Sequence, residues 1–138
     1  MSGTVGEYTT SGATVSASLI SGFNGPQGML VDGNDLFINT DPGHIGEYTT
    51  SGATVNATLI SGLSSPTAMT VEGNDLFVAN YGNGTIGEYT TSGATVNASL
   101  VSGLINPDGL VIETPEPSTL ALIGTGTAAL FLFRHRVK

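Results

Sequence analysis

The side chains in this sequence that could do chemistry are mostly carboxylates and hydroxyls. The carboxylates recur at fixed positions of a repeat: Glu7, Glu47 and Glu88 share one position, and Asp35 and Asp75 share another. A catalytic carboxylate pair places an acid and a base in a single site, whereas these residues come once per repeat unit. The recurrence therefore indicates a structural role in every unit rather than one reaction centre.

The other candidate groups are isolated from one another. His44 is the one histidine before the C-terminal residues and no cysteine is present, so the imidazole and thiolate ligands of a transition-metal site are missing. Asp32, Asn34 and Asp35 supply oxygens of the kind that calcium prefers, but without the spacing of an EF-hand loop. Serine and threonine are abundant, but no lysine or second histidine lies in the repeat region to activate one. We expect no catalytic residue, metal or cofactor, and predict that the protein is not an enzyme.

The charge is distributed unevenly along the chain. Arg134, Arg136 and Lys138 are the three basic residues, and all eleven acidic residues precede them. Residues 1–133 therefore carry a formal charge of −11 and repel a phosphate backbone, which predicts that nucleic acid is not a partner. The first residues, MSGTVGEYTT, have neither the basic nor the apolar region of a signal peptide, and we expect such a signal to lie upstream.

The carboxylates and hydroxyls are placed by a sequence repeat. The decapeptide GEYTTSGATV occurs without change at 6–15, 46–55 and 87–96, and GNDLF occurs at 33–37 and 73–77. Runs typical of strands alternate with turn residues in each unit. In one unit the predicted strands are Gly28–Val31, Asp35–Asn39, His44–Thr50 and Thr54–Ile60, and in the next they are Ala68–Val71, Asp75–Ala79, Thr85–Thr91 and Thr95–Val101.

The predicted fold is all-β, with sheets that are covered on both faces. Leu36 and Ile38 point to one face of their strand and Phe37 to the other, which is typical of a sheet packed between two others. Four short antiparallel strands per repeat predict the blades of a β-propeller. We expect a partial propeller of about 2.5–3 four-stranded blades, fewer than the four to eight of a closed ring. Three alternatives follow: an open arc, a fragment of a longer reading frame, or an oligomer that completes the ring.

The predicted domain boundaries follow from the repeat. Residues 1–113 form the propeller-type repeats and residues 114–138 form a separate C-terminal segment. The repeat units are 1–22 (partial), 23–62, 63–103 and 104–113 (partial).

From Pro115 the C-terminal segment reads PEPSTLALIGTGTAALFLFRHRVK and has three parts. Pro115, Glu116, Pro117 and Ser118 form a short motif, an uncharged apolar run covers 119–133, and basic residues follow. The run has fifteen residues and as a helix would span roughly 22 Å. It is shorter than the ~20 residues that cross a bilayer comfortably. The basic end predicts a transmembrane-type helix with a cytoplasmic C-terminus, and a buried hydrophobic helix is the alternative. The apolar residues of the predicted membrane segment are Leu120, Ala121, Leu122, Ile123, Leu130, Phe131, Leu132 and Phe133; its basic stop is Arg134, Arg136 and Lys138.

This order of motif, apolar run and basic end resembles the PEP-CTERM sorting signal of Gram-negative bacteria that produce extracellular polysaccharide. The resemblance covers residues 115–138 and rests on Pro115, Glu116, Pro117 and Ser118. It implies recognition by an exosortase, an intramembrane processing enzyme, and passage through the inner membrane to the cell surface or extracellular matrix. Extracellular polysaccharide is the further partner that it suggests.

The repeats resemble NHL-type or streptogramin-lyase-like propellers. The matching pieces are 26–32 (PQGMLVD), 35–38 (DLFI) and 82–86 (GNGTI). The metal-binding and acid/base residues of such a lyase have no counterparts here, since the position of His44 is Thr85 in the next unit. The leading hypothesis is an exported, non-enzymatic repeat scaffold or binding module. The alternative is a propeller enzyme, lyase- or hydrolase-like, truncated past its catalytic residues.

Two further residue sets have a structural and a functional interpretation. Tyr8, Tyr48 and Tyr89 recur in the decapeptide, and packing between blades is the favoured role, while Tyr81 in a loop is the better candidate for ligand contact. Three segments match the N-glycosylation sequon, which we attribute to a composition rich in asparagine, serine and threonine. They are Asn56-Ala57-Thr58, Asn83-Gly84-Thr85 and Asn97-Ala98-Ser99.

Overall fold

The structure is a computed structural model that describes residues 2–113 and 129–133. Every regular element among these residues is a β-strand. The strands are β1 (Ser2–Tyr8), β2 (Thr14–Asn24), β3 (Gly28–Asp32), β4 (Asp35–Thr40), β5 (His44–Thr49), β6 (Thr54–Ile60), β7 (Pro66–Glu72), β8 (Asp75–Asn80), β9 (Thr85–Thr90), β10 (Thr95–Val101), β11 (Gly109–Glu113) and β12 (Ala129–Phe133).

Two four-stranded antiparallel sheets make up the middle of the chain. Their strand orders are β3-β4-β5-β6 and β7-β8-β9-β10, so each sheet is a simple meander. The tight turn between the first two strands of a sheet depends on glycine, because Gly33 and Gly73 adopt φ of +58° and +60°. The eight strands predicted for these two units are confirmed to within two residues at each end.

The first and last sheets along the described chain have only two strands each. β1 and β2 pair with each other and contain the decapeptide, so they are the third and fourth strands of a unit, as predicted. β11 is the predicted extra first strand, and its antiparallel neighbour is β12. β12 therefore lies where the second strand of a complete sheet would lie. The described residues form no closed ring of sheets.

Of the predicted C-terminal helix, the structure describes residues 129–133 alone, and these form the strand β12. Leu130, Phe131, Leu132 and Phe133 belong to β12, in register with Ile112 to Gly109 of β11. Pairing with β12 satisfies the backbone groups along one edge of β11. Predicted residues Leu120, Ala121, Leu122 and Ile123 lie outside the described residues.

The hydrophobic core lies between successive sheets. Leu36 and Ile38 of β4 pack with Val5, Ile20 and Phe23 of the preceding sheet. The opposite face of the same sheet packs against the next one in a second cluster: Phe37, Ile45, Ile60, Leu76, Val78 and Tyr89. This arrangement confirms the prediction that strand β4 is apolar on both faces because its sheet is covered on both sides.

Burial decreases from the inner strands to the outer strand of each sheet. β4 is buried at its four central positions, whereas β6 is exposed from Thr54 to Thr58. Pairing between β5 and β6 is also irregular, since Glu47 faces Asn56 and Ile45 faces Ile60. Residues 57–59 thus form a bulge on the outer strand. The first strands β3, β7 and β11 lie next to one another at the other side of the sheets.

Candidate functional site

Most of the predicted sorting residues lie outside the described part of the chain. These are Pro115, Glu116, Pro117, Ser118, Arg134, Arg136 and Lys138. What the structure does describe is the context of the segment, because β11 ends at Glu113, directly before the motif. Among residues 2–113 and 129–133, no helix is long and apolar enough to span a bilayer.

A groove lies between the two four-stranded sheets. Its volume is about 510 Å³. One sheet contributes three carboxylates, Asp32, Asp35 and Glu47, and the other contributes the hydroxyls of Thr91 and Ser92. The turn at Gly33 places Asp32 directly opposite Asp35 in the register of β3 and β4. The groove therefore presents hydrogen-bond acceptors from one side and hydroxyl groups from the other.

Glu47 is a groove residue whose negative charge is disfavoured in the folded protein. Burial raises the pKa of its carboxyl group, and the negative charge of Asp35 raises that pKa further. A raised pKa in the folded state means that folding favours the protonated form. The Glu47 contribution to stability is therefore greatest below the unfolded pKa and is lost as the pH rises through the folded pKa.

We expect Glu47→Gln to be more stable than the natural protein at pH 7, by less than about 1 kcal/mol because the site is open to solvent. The difference should close as the pH is lowered through the range in which Glu47 itself becomes protonated. Urea unfolding at a series of pH values measures it. In an Asp35→Asn background, Glu47→Gln should increase the free energy of unfolding by less, because the Asp35 charge is already absent. If Glu47→Gln made the natural protein less stable at pH 7, this explanation would be contradicted.

The histidine and carboxylate candidates do not converge. Glu7, Glu47 and Glu88 lie in three different sheets, in β1, β5 and β9. His44 is half-buried at the start of β5. Within the described ranges, no group of three or more histidine, cysteine, aspartate or glutamate side chains could hold a metal ion.

The repeated tyrosines divide into two groups. Tyr48 and Tyr89 are buried, 7% and 4% exposed, and Tyr48 packs edge-to-face on Phe23 with ring centroids 5.4 Å apart. The predicted packing between sheets is confirmed for these two. Tyr8 is 59% exposed, because no described sheet precedes its own. Tyr81 is 42% exposed, in agreement with its predicted loop position.

Asn39 is a residue that sequence reasoning missed. It is completely buried in β4, and its Nδ2 donates hydrogen bonds of 2.9 Å to the carbonyl oxygens of Pro66 and Thr67 in the next sheet. The backbone N–H of Gly28 donates to its Oδ1. A polar residue that follows the apolar run Leu36–Ile38 was the available signal. Asn39 therefore ties one sheet to the next.

Comparison with known proteins identifies the C-terminal segment. Residues 113–137 match the model of the PEP-CTERM protein-sorting motif. The match supports export through the membrane to the cell surface and processing by exosortase, a membrane enzyme. No curated protein and no solved structure shows significant similarity to the chain. The likeness of the repeats to NHL-type or streptogramin-lyase-like propellers stays a prediction.

Proposed function

We propose that this chain is a non-enzymatic bacterial surface or matrix protein, whose repeats act as a scaffold and whose tail is its sorting signal. The observation that carries the proposal is the match of residues 113–137 to the PEP-CTERM motif. The motif begins where the last strand of the repeats, β11, ends at Glu113. Cleavage near Pro115 would therefore release the repeats almost whole.

The tail is proposed to hold the protein in the inner membrane until it is processed. The run 119–133 is uncharged and is followed by Arg134, Arg136 and Lys138, which favour the cytoplasmic side. A segment in the bilayer must satisfy its own backbone groups. Residues 129–133 would thus leave β11 when the run enters the membrane, and pairing and insertion are two alternative states of the same residues.

The repeats are proposed to be part of a β-propeller that serves as a scaffold or binding module. Two features support this: the sheets are successive four-stranded meanders with the core between them, and their first strands lie side by side. The distribution of Glu7, Glu47 and Glu88 over three sheets supports a non-enzymatic role. The groove between the two complete sheets offers carboxylates and hydroxyls to the hydroxyl groups of a polysaccharide. The excess negative charge favours a neutral polymer over an acidic one.

Deletion of Pro115–Lys138 should abolish retention in the membrane and display at the cell surface. The reason is that the deleted protein lacks both the motif and the apolar run. Cell fractionation and surface labelling in the native bacterium measure the change. A matched control replaces Thr125, Gly126 and Thr127 with alanine, which keeps the motif and the apolarity and should be sorted normally. Unchanged surface display of the deletion variant would refute the proposal.

A further inference from the structure

The outer strands of the two complete sheets carry matching sequons on exposed bulges. Asn56, Ala57 and Thr58 are all exposed where β6 departs from regular pairing. The Oδ1 atom of Asn56 accepts a hydrogen bond of 3.0 Å from the backbone N–H of Thr58. This Asx turn folds the asparagine side chain toward the residue two positions later.

The same geometry occurs one repeat further on. Asn97 and Ser99 are exposed on β10, and the Oδ1 atom of Asn97 accepts a hydrogen bond of 3.1 Å from the backbone N–H of Ser99. In both sequons the carbonyl oxygen of the asparagine is engaged. Within the described part of the chain, the Nδ2 amide group of each asparagine has no hydrogen-bond partner.

The fold does not require asparagine at this position. In β2 the equivalent residue is Ser16, which pairs with Glu7. Ile20 pairs with Val5, as Ile60 pairs with Ile45 in the next sheet. The register shift of the bulge is therefore the same without the Asx turn. Local structure alone does not explain why the two complete sheets carry an asparagine followed by a hydroxyl residue.

The third sequon differs in the feature that matters for recognition. Thr85 is buried, and its hydroxyl donates a hydrogen bond of 2.8 Å to Oδ1 of Asn83. The same hydroxyl oxygen accepts a hydrogen bond of 3.3 Å from Nδ2 of the buried Asn80. The hydroxyl that defines a sequon is thus engaged inside the protein at Asn83, but is on the surface at Asn56 and Asn97.

We propose that Asn56 and Asn97 are acceptors for an N-linked oligosaccharide and that Asn83 is not. The donor is a polyprenyl-diphosphate-linked oligosaccharide. A bond forms between its anomeric carbon and Nδ2 of the asparagine, the bond from that carbon to the diphosphate oxygen breaks, and Nδ2 loses one proton. The inference rests on the proposed export, which brings the sheets to the side of the membrane where such a lipid-linked donor is used.

The sequence permits a direct assignment of each site by mass spectrometry. Trypsin has no cleavage site before Arg134, but a protease that cleaves after glutamate separates the three sequons into peptides 48–72, 73–88 and 89–113. In protein collected from outside the native cells, we expect sugar mass on peptides 48–72 and 89–113 and none on 73–88. Asn56→Gln or Thr58→Ala should remove the first modification, and Asn97→Gln the second.

A second arm separates failure of this inference from failure of export. The purified full chain is incubated with an oligosaccharyltransferase that requires only the sequon, together with its polyprenyl-diphosphate donor. The expected result is modification of Asn56 and Asn97 but not of Asn83. If the native cells release no protein, this experiment alone tests whether the two asparagines are acceptors. Released protein without sugar at both sites, no transfer in the purified system, or equal modification of Asn83 would each overturn the proposal.

Discussion

Replacing Asn39 with alanine should lower the free energy of unfolding by about 3 kcal/mol, roughly 1 kcal/mol for each hydrogen bond lost. The side chain donates to the carbonyl oxygens of Pro66 and Thr67 and accepts from the N–H of Gly28. Asn39 and Pro66 are buried, and Gly28 and Thr67 are partly buried, so water does not replace the asparagine easily. Urea unfolding followed by far-UV circular dichroism measures the loss.

Two further variants separate the hydrogen bonds of Asn39 from simple loss of a side chain. Asn39→Asp has nearly the same shape, but a carboxylate cannot donate to two carbonyl oxygens. It should destabilise more than alanine at pH 7 and recover in part when the carboxyl is protonated in acid. Asn56→Ala, which removes one exposed local hydrogen bond, should cost less than about 0.5 kcal/mol. Equal effects of Asn39→Ala and Asn56→Ala would show that Asn39 does not tie the sheets together.

Replacing Gly84 with alanine should cost about 3 kcal/mol, combining a left-handed backbone with a backbone contact. Gly84 has φ of +67°, and its carbonyl oxygen accepts a hydrogen bond of 3.0 Å from the N–H of Leu104. A methyl group at Gly84 would collide with the carbonyl oxygen of Leu104. Because this obstacle is backbone, the segment that leads to β11 must move. Thermal and urea unfolding measure the cost.

Gly73→Ala is the matched control for this collision. Gly73 has φ of +60°, and a methyl group there would meet no atom within 4 Å. Its substitution should cost only the conformational part, about 1–2 kcal/mol. The difference between the two variants therefore isolates the contact of one unit with the next. If Gly84→Ala cost no more than Gly73→Ala, the close approach of Leu104 to Gly84 would be refuted.

The strands could be predicted from sequence because turn residues mark their ends. Glycine, proline, asparagine and aspartate separate short apolar runs, and the repetition of GEYTTSGATV and GNDLF fixes the same order in both complete units. The apolar residues on both faces of β4 also predicted correctly that the core lies between sheets. These features are local, or repeat within the chain, so the sequence displays them directly.

Contacts between units could not be predicted in the same way. Asn39 corresponds to Ala79 in the next unit, so the repeat itself does not reveal the bond from Asn39 to Pro66 and Thr67. The exposure of Tyr8 depends on the lack of a described sheet before its own, although its decapeptide equals the other two. The strand at Ala129–Phe133 is defined by its pairing with β11, whereas the uncharged run and the basic residues after it predicted a membrane helix.

The groove is a further consequence of packing that its sequence motifs do not display. Asp35 and Glu47 belong to one unit, and Thr91 and Ser92 belong to the decapeptide of the next. The decapeptide therefore serves the surface as well as the sheet, because its turn supplies hydroxyls to the neighbouring unit. Thr91 and Ser92 lie outside the core, but they line the groove together with residues of the preceding unit.

The most direct test of the central claim is the intact mass of the protein released by its native cells. The chain of 138 residues has a mass of 13.9 kDa. The sorting account predicts a released polypeptide that, after any sugar is removed enzymatically, ends close to Pro115–Ser118 and lacks Arg134, Arg136 and Lys138. A strain without exosortase should retain the unprocessed tail in its membrane fraction. A released protein that still ends at Lys138, with or without exosortase, would contradict the account.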